Sequence, residues 1–219
     1  MVRHLRPVLD QEMKASGFTA IGMTGLGSFV LFSKSPVRDI LELRRGRYWI
    51  WDLDKLQERQ LRAMGVKVVP LPLDEAARAY DDGRVDGFIS PPAIALAFSW
   101  SPRTRFFTDL RTPFLMGCVV VTSAAFERLS FAHQQLVRAA GTKLMARIEE
   151  VGAQQDAELV NGLFERQGVK PVPVSESFRN ELTDAARRAR DSLGDSLVPR
   201  ALVERVLALL ADRRLDNKK

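Results

Sequence analysis

The sequence predicts an α/β fold, and three observations carry the prediction. Strand-like and helix-like stretches alternate along the whole chain, an order that implies a parallel or mixed sheet with helices on its faces. The segment RYWIWD, Arg47 to Asp52, is apolar or aromatic at every position from Tyr48 to Trp51. Side chains alternate across a strand, so both of its faces are clothed, as in an interior strand covered by helices. The helix-like stretches stop at Gly17, Gly65 and Gly83, where a residue tolerant of positive φ ends a helix.

The elements follow in order. A helix over Leu5 to Ser16 ends at Gly17, and strands follow near Phe18 to Thr24 and Ser28 to Ser33. GMTGLG between them reads as a turn: its glycines have the wrong order for a dinucleotide fingerprint, and no lysine–serine pair follows. KSPVRDILELRRG gives a short helix or turn before the aromatic strand. Asp52 or Asp54 caps the next helix, whose apolar side holds Leu53, Leu56, Leu61 and Met64. VKVVPLP is a strand leaving at Pro70 and Pro72, LDEAARAYDDG a helix, and VDGFIS a strand. Ser90 and Pro91 mark the start of the helix SPPAIALAFSW.

Strands near Phe106 to Leu110 and Leu115 to Thr122 precede a short helix after Ser123. A long helical run from Phe131 to Gln167 has Gly141, Gly152 and Gly162 as candidate bends. GVKPVPVS is a strand, and two helices close the chain. The last sets Leu202, Val203, Val206, Leu207 and Leu210 in one stripe.

With 219 residues, 46% of them hydrophobic and 27% charged, the chain suits one large domain or two small ones. No apolar stretch approaches the roughly 18 to 20 residues that cross a bilayer. The opening MVRHLRPVLDQEMKASG has no apolar core or small-residue cleavage site, so the chain as written carries no secretory signal. The single cysteine, Cys118, excludes an internal disulfide, and LMGCVVVT predicts it buried in a strand. The net charge of +6 raises the question of nucleic acid. The basic residues are interleaved with acids, as in DAARRARD, which suits solvated helix faces better than a phosphate-tracking stripe.

Catalytic chemistry has little to build on. His4 and His133 are the only histidines, so neither a metal cluster nor a histidine-based triad is expected, and no cofactor is implied. Asp81/Asp82 and Glu149/Glu150 read as solvated carboxylates on helix faces or ends.

Four segments carry a resemblance. GFTAIGMTGLGSFVLFSKSPV is similar to a strand, glycine turn and S-K-x-P-V motif, and DILELRRGRYWIWD to a DLKG-x-K strand. MGVKVVPLPLDEAARAYDDGRVDGFISPP resembles a block ending in VDG-x-e-x-P, the most specific of the four, and ERLSFAHQQLV resembles a w-x-x-L-p segment. Together they resemble the solute-binding proteins of tripartite ATP-independent periplasmic (TRAP) transporters, the DctP-like family. The likeness covers most of this chain but only the later part of a family member.

That resemblance implies a periplasmic-binding-protein-like type II fold of two lobes, one complete and one partial. Residues 1–26 and 115–155 would form the partial first lobe with its long connecting helix, and residues 27–114 and 156–215 the second α/β lobe. It implies a non-enzymatic, periplasmic protein that binds a small organic solute between lobes for a TRAP membrane permease. An upstream segment carrying the export signal is expected, with Met1 internal to a longer coding region or the chain a truncated relative. An open sheet edge and apolar face are expected where the first lobe is incomplete.

The resemblance also points to site residues. An arginine of the family's K-x-R strand pairs with a substrate carboxylate through two charge-assisted hydrogen bonds. That position here is Trp49, and a second arginine position aligns with Phe29. Ser90 aligns with the asparagine of the VDG block and competes as a helix cap. The expected ligand wall is therefore Trp49, Phe29, Ser90, Phe88 and Trp100, with Trp51 packed beneath Trp49. Such a wall selects an apolar or aromatic solute, or a cation, rather than a simple carboxylate. Each aromatic has the alternative of being a core residue. Two further classes stay open: a ligand-sensing or protein-interaction module whose partner or second copy covers the open lobe edge, and a basic nucleic-acid-binding protein with salt-sensitive affinity.

Overall fold

The computed structural model describes residues 2–110, 114–196 and 199–216. In chain order its elements are α1 (Val2–Ala15), β1 (Phe18–Ser28), β2 (Val30–Ser33), α2 (Ile40–Arg45), β3 (Arg47–Trp51), α3 (Lys55–Ala63) and β4 (Lys67–Leu71). Then come α4 (Ala76–Asp81), β5 (Gly87–Ser90), α5 (Pro92–Ala97), β6 (Phe106–Thr108), β7 (Phe114–Thr122) and α6 (Ser123–Glu127). The chain closes with α7 (Phe131–Glu158), α8 (Phe164–Arg166), β8 (Lys170–Val172), α9 (Glu176–Leu193) and α10 (Arg200–Asp216). They form two compact units. One comprises Met1–Gly27, Phe114–Gln154 and Pro199–Lys219; the other comprises Ser28–Pro113 and Gln155–Val198.

The second unit is built on a six-stranded sheet of order β4-β3-β5-β2-β6-β8. β3 runs parallel to β4 and β5, and β6 parallel to β8, while β2 is antiparallel to both of its neighbours. The two-faced reading of RYWIW holds. Tyr48 and Ile50 enter a core with Leu43 of α2, Leu61 of α3 and Phe178, Ala185 and Ala189 of α9. Trp49 enters the opposite core with Ala79 and Tyr80 of α4, Ala95 of α5 and Phe164 of α8. Burying a side chain such as Ile50 contributes about 2 kcal/mol. Burial also pushes the Tyr48 phenol far above its ordinary value, because the phenolate would lose water.

Short polar side chains start the helices. Asp39 Oδ1 accepts from the Glu42 N–H at 2.7 Å, Asp54 Oδ1 from Gln57 at 2.9 Å, and Ser175 Oγ from Phe178 at 3.1 Å. Asp54 therefore caps α3, which settles the choice left open between it and Asp52. Cations close other ends. Lys34 Nζ donates to the carbonyls of Tyr80 and Val85 at 2.6 and 3.0 Å, and Arg44 Nε donates to Met64 at 2.9 Å. Tyr80 and Met64 lie at the ends of α4 and α3, where carbonyls lack intrahelical partners, while Val85 lies in the connection before β5.

The first unit holds a two-stranded sheet, β1 with β7. Its contact with α7 rests on missing side chains. A Cβ on Gly141 would lie 2.5 Å from the Ile21 carbonyl oxygen, and one on Gly22 would collide with Met145. Gly141 thus lets the helix backbone meet the strand instead of bending the helix, and α7 continues through Gly152 as well. Of the three candidate bends only Gly162 interrupts helical geometry, at φ 151°.

Three other expectations are corrected. GMTGLG is not a turn: β1 runs unbroken from Phe18 to Ser28, because pairing with β7 satisfies its backbone. Cys118 lies in a strand as expected but is exposed. Among the described residues β7 belongs to a two-stranded sheet, and Met116, Val119 and Val120 near it in the strand are exposed too. The last helix, placed with residues 156–215 in the sequence reading, groups with the first unit. Both faces of the six-stranded sheet are already occupied by other helices. Among the described residues no helix is long and apolar enough to cross a membrane.

Candidate functional site

In the second unit β3, β4, β5, β6 and β8 all point the same way, so their carboxyl ends share one edge of the sheet. Ligands of open α/β sheets bind outside that edge. Trp49 is paired with Phe88 in the parallel register of β3 and β5. Two residues further along, on the same faces, the strands end at Trp51 and Ser90. β2 reverses direction, and Val30 pairs with Ser90; Phe29, which precedes Val30, therefore reaches the same edge.

Three of the five sequence-predicted residues come together. The Trp49 and Trp100 rings lie 5.0 Å apart at 65°, and Phe88 and Trp100 lie 5.1 Å apart at 65°. Such edge-to-face pairs add about 1 kcal/mol each beyond burial. The cluster continues inward through Phe32, stacked on Phe88 at 5.1 Å, to Phe164. Tyr80 joins at its side, and burial pushes its phenol up to about 12.

Trp49 is only 5% exposed, and its indole N–H donates to the Leu71 carbonyl at 3.1 Å. Ser90 is buried at the end of β5 and does not cap α5: its Oγ donates to the Pro91 carbonyl at 3.2 Å. The Ala93 N–H, the first that the two prolines leave free, is taken by Asp156 Oδ1 at 3.2 Å. Phe29 is half-buried, outside the ring cluster among the described contacts.

Two aromatic residues of this edge escaped the sequence reading. Trp51, expected beneath Trp49, is 45% exposed, because it is the last residue of β3 and stands beyond the helices that cover Trp49. Phe98, at the end of α5, is 47% exposed and stacks on Trp100 at 5.2 Å and 25°. The motif AFSW carried a usable signal, an aromatic pair straddling a helix end. Ser99 between them has φ 55°, a left-handed conformation uncommon outside glycine.

Three of the four carboxylates singled out in the sequence lie in ion pairs. Asp81 is paired with Arg103, Asp82 with Arg78 and Glu150 with Arg147. His133 is exposed on α7, its Nδ1 2.9 Å from Ser130 Oγ, and the His4 side chain lies outside the described residues. Among the described residues no three His, Cys, Asp or Glu side chains could hold a metal ion.

Similarity to known proteins agrees with this architecture. A search of curated proteins finds no match. Among solved structures, the chain is similar to DctP7 of Bordetella pertussis, an extracytoplasmic solute receptor binding pyroglutamic acid, at TM-score 0.81 and 19% identity. That match covers 89% of this chain and 64% of the receptor. It is also similar to the TRAP periplasmic solute binding protein of Haemophilus influenzae RdAW with bound L-gulonate, at TM-score 0.83 and 16% identity, covering 93% and 67%. A Shewanella oneidensis TRAP periplasmic solute binding protein with bound succinate matches at TM-score 0.83 and 16% identity, covering 92% of this chain and 66% of that one. The chain thus has the TRAP solute receptor fold, over about two thirds of its neighbours' length. The family of bacterial extracellular solute-binding proteins, family 7 (DctP), matches residues 4–194, and the chain belongs to it.

Proposed function

We propose that this chain acts as the periplasmic solute-binding component of a TRAP-type transporter. It takes up a small organic solute at the carboxyl edge of β3 and β5 and hands it to a membrane permease. Family membership supports this reading, as do small organic ligands in the neighbours from Bordetella, Haemophilus and Shewanella.

The observation that carries the choice of solute is the aromatic edge. Trp51 is exposed at the end of β3, and Phe98 is exposed on Trp100, which packs on Trp49 and Phe88; Phe29 lies just before β2 and Ser90 at the end of β5. Trp49 and Phe29 stand where the family resemblance places arginines. The solute this edge suits presents a ring or an apolar face, and is not held as a simple carboxylate. Binding needs no covalent chemistry: closure over flat rings removes apolar surface from water.

A thermal-shift screen of aromatic, apolar and acidic solutes tests this, because a ligand that binds only the folded state raises its melting temperature. Aromatic or apolar solutes should stabilise the protein, and Trp51→Ala should remove the effect. Stabilisation by dicarboxylates or sugar acids alone, unchanged in Trp51→Ala, would overturn the reading.

A further inference from the structure

The edge of the six-stranded sheet opposite the carboxyl edge is basic. Where the chain enters or leaves the sheet there, at 34, 44–47, 64–67, 81–87, 103–106 and 165–170, it carries ten cations and four acids, against 33 and 27 in the whole chain. Interleaved with acids along the sequence, these cations are gathered by topology. The register sets Lys67 beside Arg47, carries the row through Asp86 and Lys34 to Arg105, and puts Lys170 one step beyond on β8. Neighbouring strands lie about 4.8 Å apart, so the row spans about 24 Å.

Internal contacts account for part of this charge. Lys34 and Arg44 serve backbone carbonyls, and Arg47 holds Asp86. They do not account for Lys67, Arg105 and Lys170, nor for Arg45 and Arg166 at the ends of α2 and α8. All five are exposed, and none has an ion pair among the described residues. Of the four acids, Asp81 is paired with Arg103, Asp82 with Arg78 and Arg84, and Asp86 with Arg47. Glu165 alone is left against five free cations, which repel one another until an anionic partner arrives.

The form of the edge narrows the partner. No exposed large apolar side chain lies in these segments, whereas a protein interface has an apolar centre inside a polar rim. A nucleic acid needs an unbroken track for its phosphates, and the Asp86–Arg47 pair interrupts the row. Lipid headgroups carry their charges singly and move sideways. They can collect around Arg45 and Lys67 on one side of Asp86 and around Arg105, Lys170 and Arg166 on the other.

We infer that this edge docks on an anionic phospholipid bilayer through Lys67, Arg105 and Lys170, with Arg45 and Arg166 beside them. The attachment is electrostatic and reversible. It leaves the carboxyl edge, at the other ends of the strands, open, and it stands whether or not that edge binds a solute.

Sedimentation of the full chain with lipid vesicles tests this. Vesicles of phosphatidylcholine with about one third phosphatidylglycerol should bind it saturably at about 25 mM salt, and about tenfold or more weakly at about 300 mM. Pure phosphatidylcholine vesicles should not bind it. The triple variant Lys67→Glu, Arg105→Glu, Lys170→Glu should lose binding. The triple variant Lys14→Glu, Arg128→Glu, Lys143→Glu makes the same change of net charge at exposed positions of the first unit and should keep most of it. Should the first triple variant fail to fold, Arg105→Gln and Lys170→Gln should each weaken binding about fivefold. Absence of binding, equal binding to neutral vesicles, insensitivity to salt, equal loss in the two triple variants, or tighter binding of duplex DNA than of anionic vesicles would each overturn the inference.

Discussion

Arg47 and Asp86 hold the start of β3 to the approach of β5 through side chain and backbone together. Asp86 Oδ2 accepts from the Arg47 backbone N–H at 2.9 Å and from its Nε at 3.1 Å, and Oδ1 accepts from Nη2 at 3.1 Å. The Asp86 N–H returns a bond to the Arg47 carbonyl, and Nη2 also donates to the Gly83 carbonyl at 2.8 Å. The aspartate of VDG thus sets the register that brings Trp49 opposite Phe88.

This contact predicts a pH dependence. Burial acts to raise the Asp86 carboxyl, but hydrogen bonds from Arg47 and its charge outweigh that and hold it below its ordinary 3.8. A depressed carboxylate contributes stability that is present above the unfolded value and is lost as pH falls through the folded one. Asp86→Asn should lower the melting temperature by a few degrees at pH 7, and the gap from the parent should shrink below about pH 4. Melting curves at pH 7 and pH 3 check this; an equal gap at both would show that the charge is not what matters.

Two glycines of α7 should respond in opposite directions. Gly141→Ala forces a Cβ against the Ile21 backbone and should cost about 1–3 kcal/mol. Gly152→Ala meets nothing within 4 Å in mid-helix and should stabilise by about 0.5–1 kcal/mol. Urea unfolding of the pair measures both.

The two strand tryptophans should separate stability from binding. Trp49→Ala empties a packed site and should cost about 3–5 kcal/mol. Trp51→Ala removes an exposed ring and should stay within about 0.5 kcal/mol of the parent, while losing solute affinity. Denaturation and calorimetric titration of both variants decide it, and a large stability loss in Trp51→Ala would remove Trp51 from the solute edge.

Lys34 bridges two backbone carbonyls and sits 4.4 Å over the Tyr80 ring. Lys34→Met keeps the aliphatic stem and removes the charged donor, so it should cost about 1–3 kcal/mol. Chemical denaturation reads the loss; no loss would mean that water replaces the ammonium at both carbonyls.

Much of the second unit was legible because its signals are local. Period-2 alternation in RYWIW assigns Tyr48 and Trp49 to opposite cores, and Asp54 before an amphipathic run marks a cap. What stayed hidden depends on partners far away in sequence. Strand periodicity puts Trp49 and Trp51 on one face, but it does not say where the helical cover ends. Gly141 looks like a bend until Ile21 is placed against it, and Cys118 looks buried until β7 is seen in a two-stranded sheet. The family resemblance pointed to Trp49, Phe29 and Ser90, whereas the exposure of the Trp51 and Phe98 rings follows only from packing.

The reversed strand β2 sits between β5 and β6, and neither of those neighbours adjoins it in the chain. Leu31 must find both Ile89 and Thr108 before the centre of the sheet exists, so the early cost is chain entropy spent on long loop closures. Refolding of this protein should accordingly be slow for its size, with the outer pair β3–β4 gaining exchange protection ahead of β2.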